Sequence, residues 1–140
     1  MKGRVPVIVV MVTAALLLAG CAKAGPSEAL VEYNRTGGIA GFNDRLVIQA
    51  NGQATLTRRD QSSEFVLDRD TLTRLQALLD DAQFTQLDAE YRPSGSGADL
   101  FTYVITYRGH TVRSMDTAVP EALQPALELL KQIVADHEKP

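Results

Sequence analysis

RLVIQANGQATLTRR, Arg45 to Arg59, is the stretch that decides how this chain folds. Leu46, Ile48 and Ala50 recur at every second position before Asn51-Gly52. Ala54, Leu56 and Arg58 do the same after it, alternating with Gln53, Thr55, Thr57 and Arg59. A period of two puts alternate side chains on opposite faces of a strand. Asn-Gly between two such runs is a strong hairpin signal, since a type I′ turn needs positive φ at both central residues. The stretch predicts an antiparallel hairpin, with Arg58-Arg59 on a solvated strand face.

Working outward, TGGIAGFND, Thr36 to Asp44, precedes the hairpin and packs three glycines around Ile39 and Phe42. Leu30 to Arg35 alternates loosely and reads as a first strand. After the hairpin, Phe65 to Leu67 either extends the second strand or begins a short separate one. Asp68 and Asp70 are both competent helix N-caps. Leu72, Leu75, Leu78, Leu79 and Ala82 then form one apolar stripe, so Thr71 to Ala82 is expected to be an amphipathic helix. RPSGSGAD, Arg92 to Asp99, is a loop by composition. Phe101, Tyr103, Ile105 and Tyr107 share a strand face, Arg108-Gly109 is a weaker turn, and His110 to Met115 returns. Pro120 and Pro125 suit the first turn of a closing helix, where a missing N–H costs little. Leu123, Leu127, Leu130 and Val134 are its buried stripe, and the tail from Asp136 is expected to fray. The fold class is α+β: an antiparallel sheet of about four to five strands with two amphipathic helices packed on one face. With no Trp and few aromatic residues, aliphatic side chains are expected to build most of the core.

The first twenty residues are of another kind. Lys2 and Arg4 form a short positive head, and Val5 to Leu18 is almost continuously apolar. That is the pattern of an export signal, or of an uncleaved anchor near the minimum length for a spanning helix. The chain's one cysteine favours the signal. LAGC, Leu18 to Cys21, resembles the bacterial lipobox, in which the cysteine is acylated and becomes the first mature residue. Acyl chains contribute about 0.8 kcal/mol per buried methylene, enough in combination to hold a protein on a membrane. The expected organisation is a lipoprotein signal over residues 1–20, a tether over 21–27 and one domain over 28–140. The expected location is the bacterial cell envelope, facing outside the cytoplasm, with membrane attachment through lipid on Cys21. Removing the signal leaves twelve basic against seventeen acidic side chains, a net charge of −5. That balance, with no basic stripe, argues against a nucleic-acid partner.

Catalytic chemistry finds little material. A phosphate loop needs a helix directly after the glycines, whereas a strand follows Gly41. Zinc needs clustered ligands, and His110 and His137 are far apart and expected to be solvated. His110 could in principle serve as a base oriented by Asp99 or Asp116, but no spacing singles out a nucleophile. Asp80-Asp81 sits at a helix end, where solvation or a turn is the usual reason. Asp99 reads as a structural loop residue, its carboxylate accepting backbone N–H groups. No metal, cofactor or enzyme activity is expected.

Several pieces of the chain together resemble a known family. They are Thr36-Gly37-Gly38-Ile39-Ala40-Gly41, the acid-capped leucine helix, Gly97-Ala98-Asp99-Leu100-Phe101-Thr102-Tyr103, and Pro120, Leu123 and Pro125 with Leu127 and Leu130 behind. In that order, over about Tyr33 to Val134, they resemble the protealysin inhibitor (emfourin-like) proteins. The signal, the lipobox and a longer central hairpin depart from that pattern. The resemblance implies an inhibitor of a thermolysin-like metallopeptidase acting by protein–protein contact. Such peptidases favour bulky apolar groups near the scissile bond. The candidate partner-binding residues are therefore Gly37, Gly38, Ile39, Ala40, Gly41 and Phe42. Ile39 and Phe42 either fold back into the core or project as an apolar anchor. The other function carried forward is a non-inhibitory envelope lipoprotein, serving as a protein-binding adaptor or structural module.

Overall fold

The computed structural model describes residues 28–95 and 99–138. The signal, Cys21 and the tether lie outside the described residues, as do Gly97 and Ala98 of the resemblance. Seven strands form one sheet: β1 (Ala29–Gly37), β2 (Phe42–Gln49), β3 (Gln53–Arg58), β4 (Gln61–Val66), β5 (Glu90–Tyr91), β6 (Phe101–Tyr107) and β7 (His110–Met115). Their order across the sheet is β4-β3-β2-β1-β6-β7-β5. Every pairing is antiparallel except β5 with β7. The expected count of four to five strands is therefore too low. Gln61–Val66 pairs as a strand of its own, although only Phe65 and Ser63 are partly covered and the rest is exposed. An edge strand of this kind carries little apolar patterning. The two-residue β5 is too short to show a period.

The hairpin at Arg45 to Arg59 is present, with a different turn. Gly52 N–H bonds Gln49 O at 3.0 Å, Gly52 alone of the connection has positive φ (+88°), and Gln53 N–H bonds the Asn51 carboxamide. Ala50, Asn51 and Gly52 thus form a three-residue connection, a turn followed by a left-handed glycine. The side chain of Asn51 bonds forward and its backbone never enters the left-handed region. The signature of a type I′ turn appears instead at Arg108-Gly109, where both residues have positive φ between the paired Tyr107 and His110.

The two helices are α1 (Arg69–Asp81) and α2 (Gln124–Asp136). Asp68, and not Asp70, caps α1: its carboxylate accepts the Thr71 N–H at 2.8 Å and the Thr71 hydroxyl at 2.7 Å. These bonds hold its pKa below the usual carboxylate value. Leu75, Leu79 and Ala82 are buried, with Leu72 and Leu78 packed at the margin. Pro125 lies in the first turn of α2, and Leu123, Leu127, Leu130 and Val134 are all buried. Both stripes meet the sheet face carrying Val31, Tyr33, Leu46, Ile48, Ala54, Leu56, Tyr103, Ile105, Tyr107 and Val112 in one core. Aliphatic side chains build most of that core, as composition suggests, around four aromatic residues. Tyr33, Tyr103, Tyr107 and Phe84 are among its most buried members.

Contacts across the strands tie the connecting segments to the sheet at both of its ends. Near the Ala29 end of β1, Leu67 N–H bonds Gly52 O where α1 begins, and Asp80 accepts the Tyr107 hydroxyl where α1 ends. At the other end, Asp116 at the close of β7 holds Phe101 and Tyr103. The chain leaving α2 stacks His137 on Phe65 at 3.7 Å. Among the described residues no helix is long and apolar enough to cross a membrane.

Candidate functional site

At the Gly37 end of β1 the chain turns through Gly38-Ile39-Ala40-Gly41, closed by Gly41 N–H to Gly38 O at 3.0 Å. Gly37, Gly38 and Gly41 take φ of +108°, +71° and +62°, conformations that side-chain-bearing residues rarely adopt. Ile39 and Ala40 occupy the corner with ordinary φ. The glycines also allow close approach. A Cβ on Gly37 would lie 2.4 Å from the Leu100 carbonyl oxygen, and one on Gly38 would lie 2.8 Å from the Phe101 ring. The base of the turn is thereby set against the start of β6.

The two apolar residues of the turn part company. Ile39 is 88% exposed, projecting at the tip. Phe42 is half-buried, its ring edge-to-face with Phe101 at 5.5 Å. Arg35 lies over both rings, at 4.8 Å from Phe42 and 5.6 Å from Phe101, and Arg58 lies 5.5 Å from Phe42. Such cation–π contacts contribute roughly 0.5–2 kcal/mol each, more as water is excluded.

Beneath the turn sits Asp44, fully buried. Its Oδ2 accepts from Arg35 Nε at 2.9 Å and Nη2 at 2.5 Å, and its Oδ1 accepts from Arg58 Nε at 2.8 Å. Glu138, beyond α2, bonds Arg58 and lies 3.7 Å from Arg35. The hydrogen bond to Asp44 raises the Arg58 pKa above its ordinary value. Arg58 is therefore no part of a solvated face, contrary to the sequence expectation. It is in phase with the buried Ala54 and Leu56. Its neighbour Arg59 is exposed, and donates to the Ala40 carbonyl at 3.2 Å, tying the β3–β4 turn to the glycine turn. An open cleft of about 460 Å³ runs between these turns, lined by Ala40, Phe42, Asp44, Arg58, Arg59 and Asp60 among others.

Sequence reasoning did not identify Asp44, Arg35 or Arg58 as a unit. The signal was available: each is the one charged residue in phase with the apolar face of its strand, and the three strands are neighbours. Asp99 is exposed with φ of +72° at the turn before β6. The carboxylate that receives the Phe101 N–H, at 2.9 Å, belongs to Asp116, which also accepts the Tyr103 hydroxyl at 2.5 Å.

The residues considered for acid–base work do not converge. His110 begins β7 and Asp116 follows its end, roughly 20 Å apart at about 3.3 Å per residue. His110 is half-buried and not solvated: its Nε2 lies 2.9 Å from the Leu87 carbonyl oxygen, and its ring meets Phe84 edge-on. His137 is likewise held, by Phe65 and by Ile133 O at 2.8 Å, so the tail expected to fray from Asp136 is fixed through His137, and Glu138 beyond it pairs with Arg58. Asp80 binds Tyr107 and Arg108. Among the described residues no three His, Cys, Asp or Glu side chains gather as metal ligands do. What the glycine-turn end offers is a fixed shape: one exposed aliphatic side chain on a turn supported by an aromatic and ion-paired base.

Against protein-family models, residues 33–131 match Emfourin. No curated protein matches the chain. The matched span contains the whole glycine turn, Asp44 and both arginines, and stops short of Glu138.

Proposed function

We propose, because this chain belongs to the Emfourin family of inhibitor domains, that it is a membrane-anchored lipoprotein which inhibits a thermolysin-like metallopeptidase through the Gly37 to Phe42 turn. The observation that carries this reading is Ile39, 88% exposed on a turn whose base is immobilised on both sides. Isolated exposed aliphatic residues are common, and most need no explanation. This one stands at a corner built by three left-handed glycines. Ordering a flexible contact residue on binding costs about 0.5–1.5 kcal/mol, and a turn already fixed avoids most of that. An aliphatic side chain held in this way suits an apolar substrate pocket. Cys21 supplies the anchor through acylation, and no residue of the chain is asked to do chemistry.

The test is to titrate the mature chain, from Cys21 onward in mild detergent, against a thermolysin-like metallopeptidase of the same organism. Stoichiometric inhibition at micromolar concentration or below is expected. Ile39→Ala should weaken it about tenfold or more, since a buried aliphatic side chain is worth about 1.5–3 kcal/mol. Because Ile39 touches little of the fold, its removal should leave the melting temperature unchanged. Absence of inhibition by the wild-type chain would leave the adaptor reading. Inhibition insensitive to Ile39→Ala would keep the function and move the contact away from this turn.

A further inference from the structure

We infer that the lipid anchor and the glycine turn stand at opposite poles of the domain, so that Ile39 faces away from the membrane toward a partner arriving from the aqueous phase. This rests on the lipid-anchored reading above. The described chain enters at Glu28 and β1 begins at Ala29. That pole also carries the Ala50–Gly52 and Arg108–Gly109 turns and both ends of α1. Strand β1 then runs without interruption to Gly37, about 26 Å away at 3.3 Å per residue. The far pole gathers the glycine turn, the Arg59-Asp60 turn, Leu100 and Asp116.

Chain length limits what the tether can do. Eight Cα–Cα steps separate Cys21 from Ala29, a reach of at most about 28 Å. Inverting the domain, to bring Ile39 to the lipid and Ala29 outward, would demand a fully stretched tether. Lying flat is within reach, yet the flanks offer little to hold the domain down. Among the described residues the exposed large apolar side chains are Ile39 and Val66. The uncovered sheet face is mainly polar, with Glu32, Arg45 and a set of threonines around the half-buried Val47 and Val104, and the outer side of α2 carries Glu128, Gln132 and Asp136. With a net charge of −5 after the signal, the mature chain is repelled by anionic lipid.

The test uses the full lipidated chain in phosphatidylcholine vesicles carrying a headgroup nitroxide quencher. Acylation consumes the one native thiol, so a cysteine introduced as Ile39→Cys at the far pole, or Gln53→Cys at the near pole, can be labelled alone with a fluorophore. The Gln53→Cys label should be quenched at least twofold more strongly than the Ile39→Cys label. Equal or reversed quenching overturns the proposal. The premises fail by other readouts. A chain that does not float with vesicles and reacts at Cys21 was never anchored, which also overturns the orientation. Inhibition by the vesicle-bound chain should equal that of the detergent-solubilised chain within twofold, and a tenfold loss on vesicles would mean the turn is occluded by lipid. If the solubilised chain does not inhibit, the inhibitor reading falls while the quenching order still decides the orientation.

Discussion

A carboxylate with no solvent exposure, such as Asp44, is tolerated only if its neighbours replace water. Two guanidinium groups do so here, and Arg35 and Arg58 keep 16% and 33% of their side chains exposed. Removing the acid would leave both cations on an aromatic and apolar base without their counter-charge. Breaking a buried pair costs about 3–5 kcal/mol, and the partial access of the arginines to water argues for the low end. Asp44→Ala is therefore expected to lower stability by about 3 kcal/mol, read from the urea unfolding midpoint with the slope unchanged. A loss under about 1 kcal/mol would show that the arginines rehydrate freely and that Asp44 does not support the turn. From the sequence the hairpin is expected to begin at Arg45, and Asp44 is given no role. Strand β2 in fact starts at Phe42, which puts Asp44 in phase with Leu46 and Ile48.

The glycine turn makes a sharper demand at the level of elements, because its glycines are needed for different reasons. Gly41 has open space around the position of a Cβ, so only its φ of +62° excludes other residues. Gly37 has φ of +108° and a carbonyl oxygen 2.4 Å from that position. Gly41→Ala should cost about 1 kcal/mol, the penalty of a left-handed alanine. Gly37→Ala adds backbone collision to strain, and should exceed it by about 2 kcal/mol or more while displacing β6 from β1. Thermal melting of the two variants gives the ranking, and equal losses would mean that the β1–β6 approach is not tight. Loop, strand and helix were legible here wherever a period ran for two turns or several alternations: β2, β3, β6, β7, α1 and α2 all lie close to their expected bounds. The misses have local causes. Asn51 satisfies Gln53 N–H with its side chain, so Asn-Gly takes a longer turn. Strand β4 draws its pairing from backbone hydrogen bonds to β3, which leave no mark in side-chain pattern. The prominence of Ile39 over Phe42 was not legible either, because it depends on the Phe101 ring contributed by a strand 59 residues later.

Across the whole molecule, the tyrosines of the core connect the sheet to the segments at both of its ends. Tyr103 donates to Asp116 at the glycine-turn end, and Tyr107 donates to Asp80 at the close of α1. Tyr33 lies between the two regions, fully buried and stacked on Tyr103 at 6.4 Å. Burial pushes the pKa of all three phenols up, and for Tyr103 and Tyr107 the adjoining carboxylate adds to the shift. In the unfolded chain these groups ionise near pH 10. Above that value the unfolded state gives up protons that the folded state retains, so stability is complete below about pH 10 and falls as pH rises. Each tyrosine contributes at most about 1.4 kcal/mol per pH unit to that fall. Ionisation inside the fold would also turn two hydrogen bonds into contacts between like charges. The melting temperature should hold between pH 7 and pH 9 and then drop steeply between about pH 10 and pH 11.5, along with the appearance of tyrosinate absorbance. Tyr103→Phe removes one titrating group and one hydrogen bond to a charged acceptor, worth about 1.5–3 kcal/mol. It should be less stable than wild type at pH 7 and lose less on going to pH 11. A variant with an unchanged alkaline slope would mean that Tyr103 ionises as readily in the folded chain as in the unfolded one, and that Asp116 does not hold its proton.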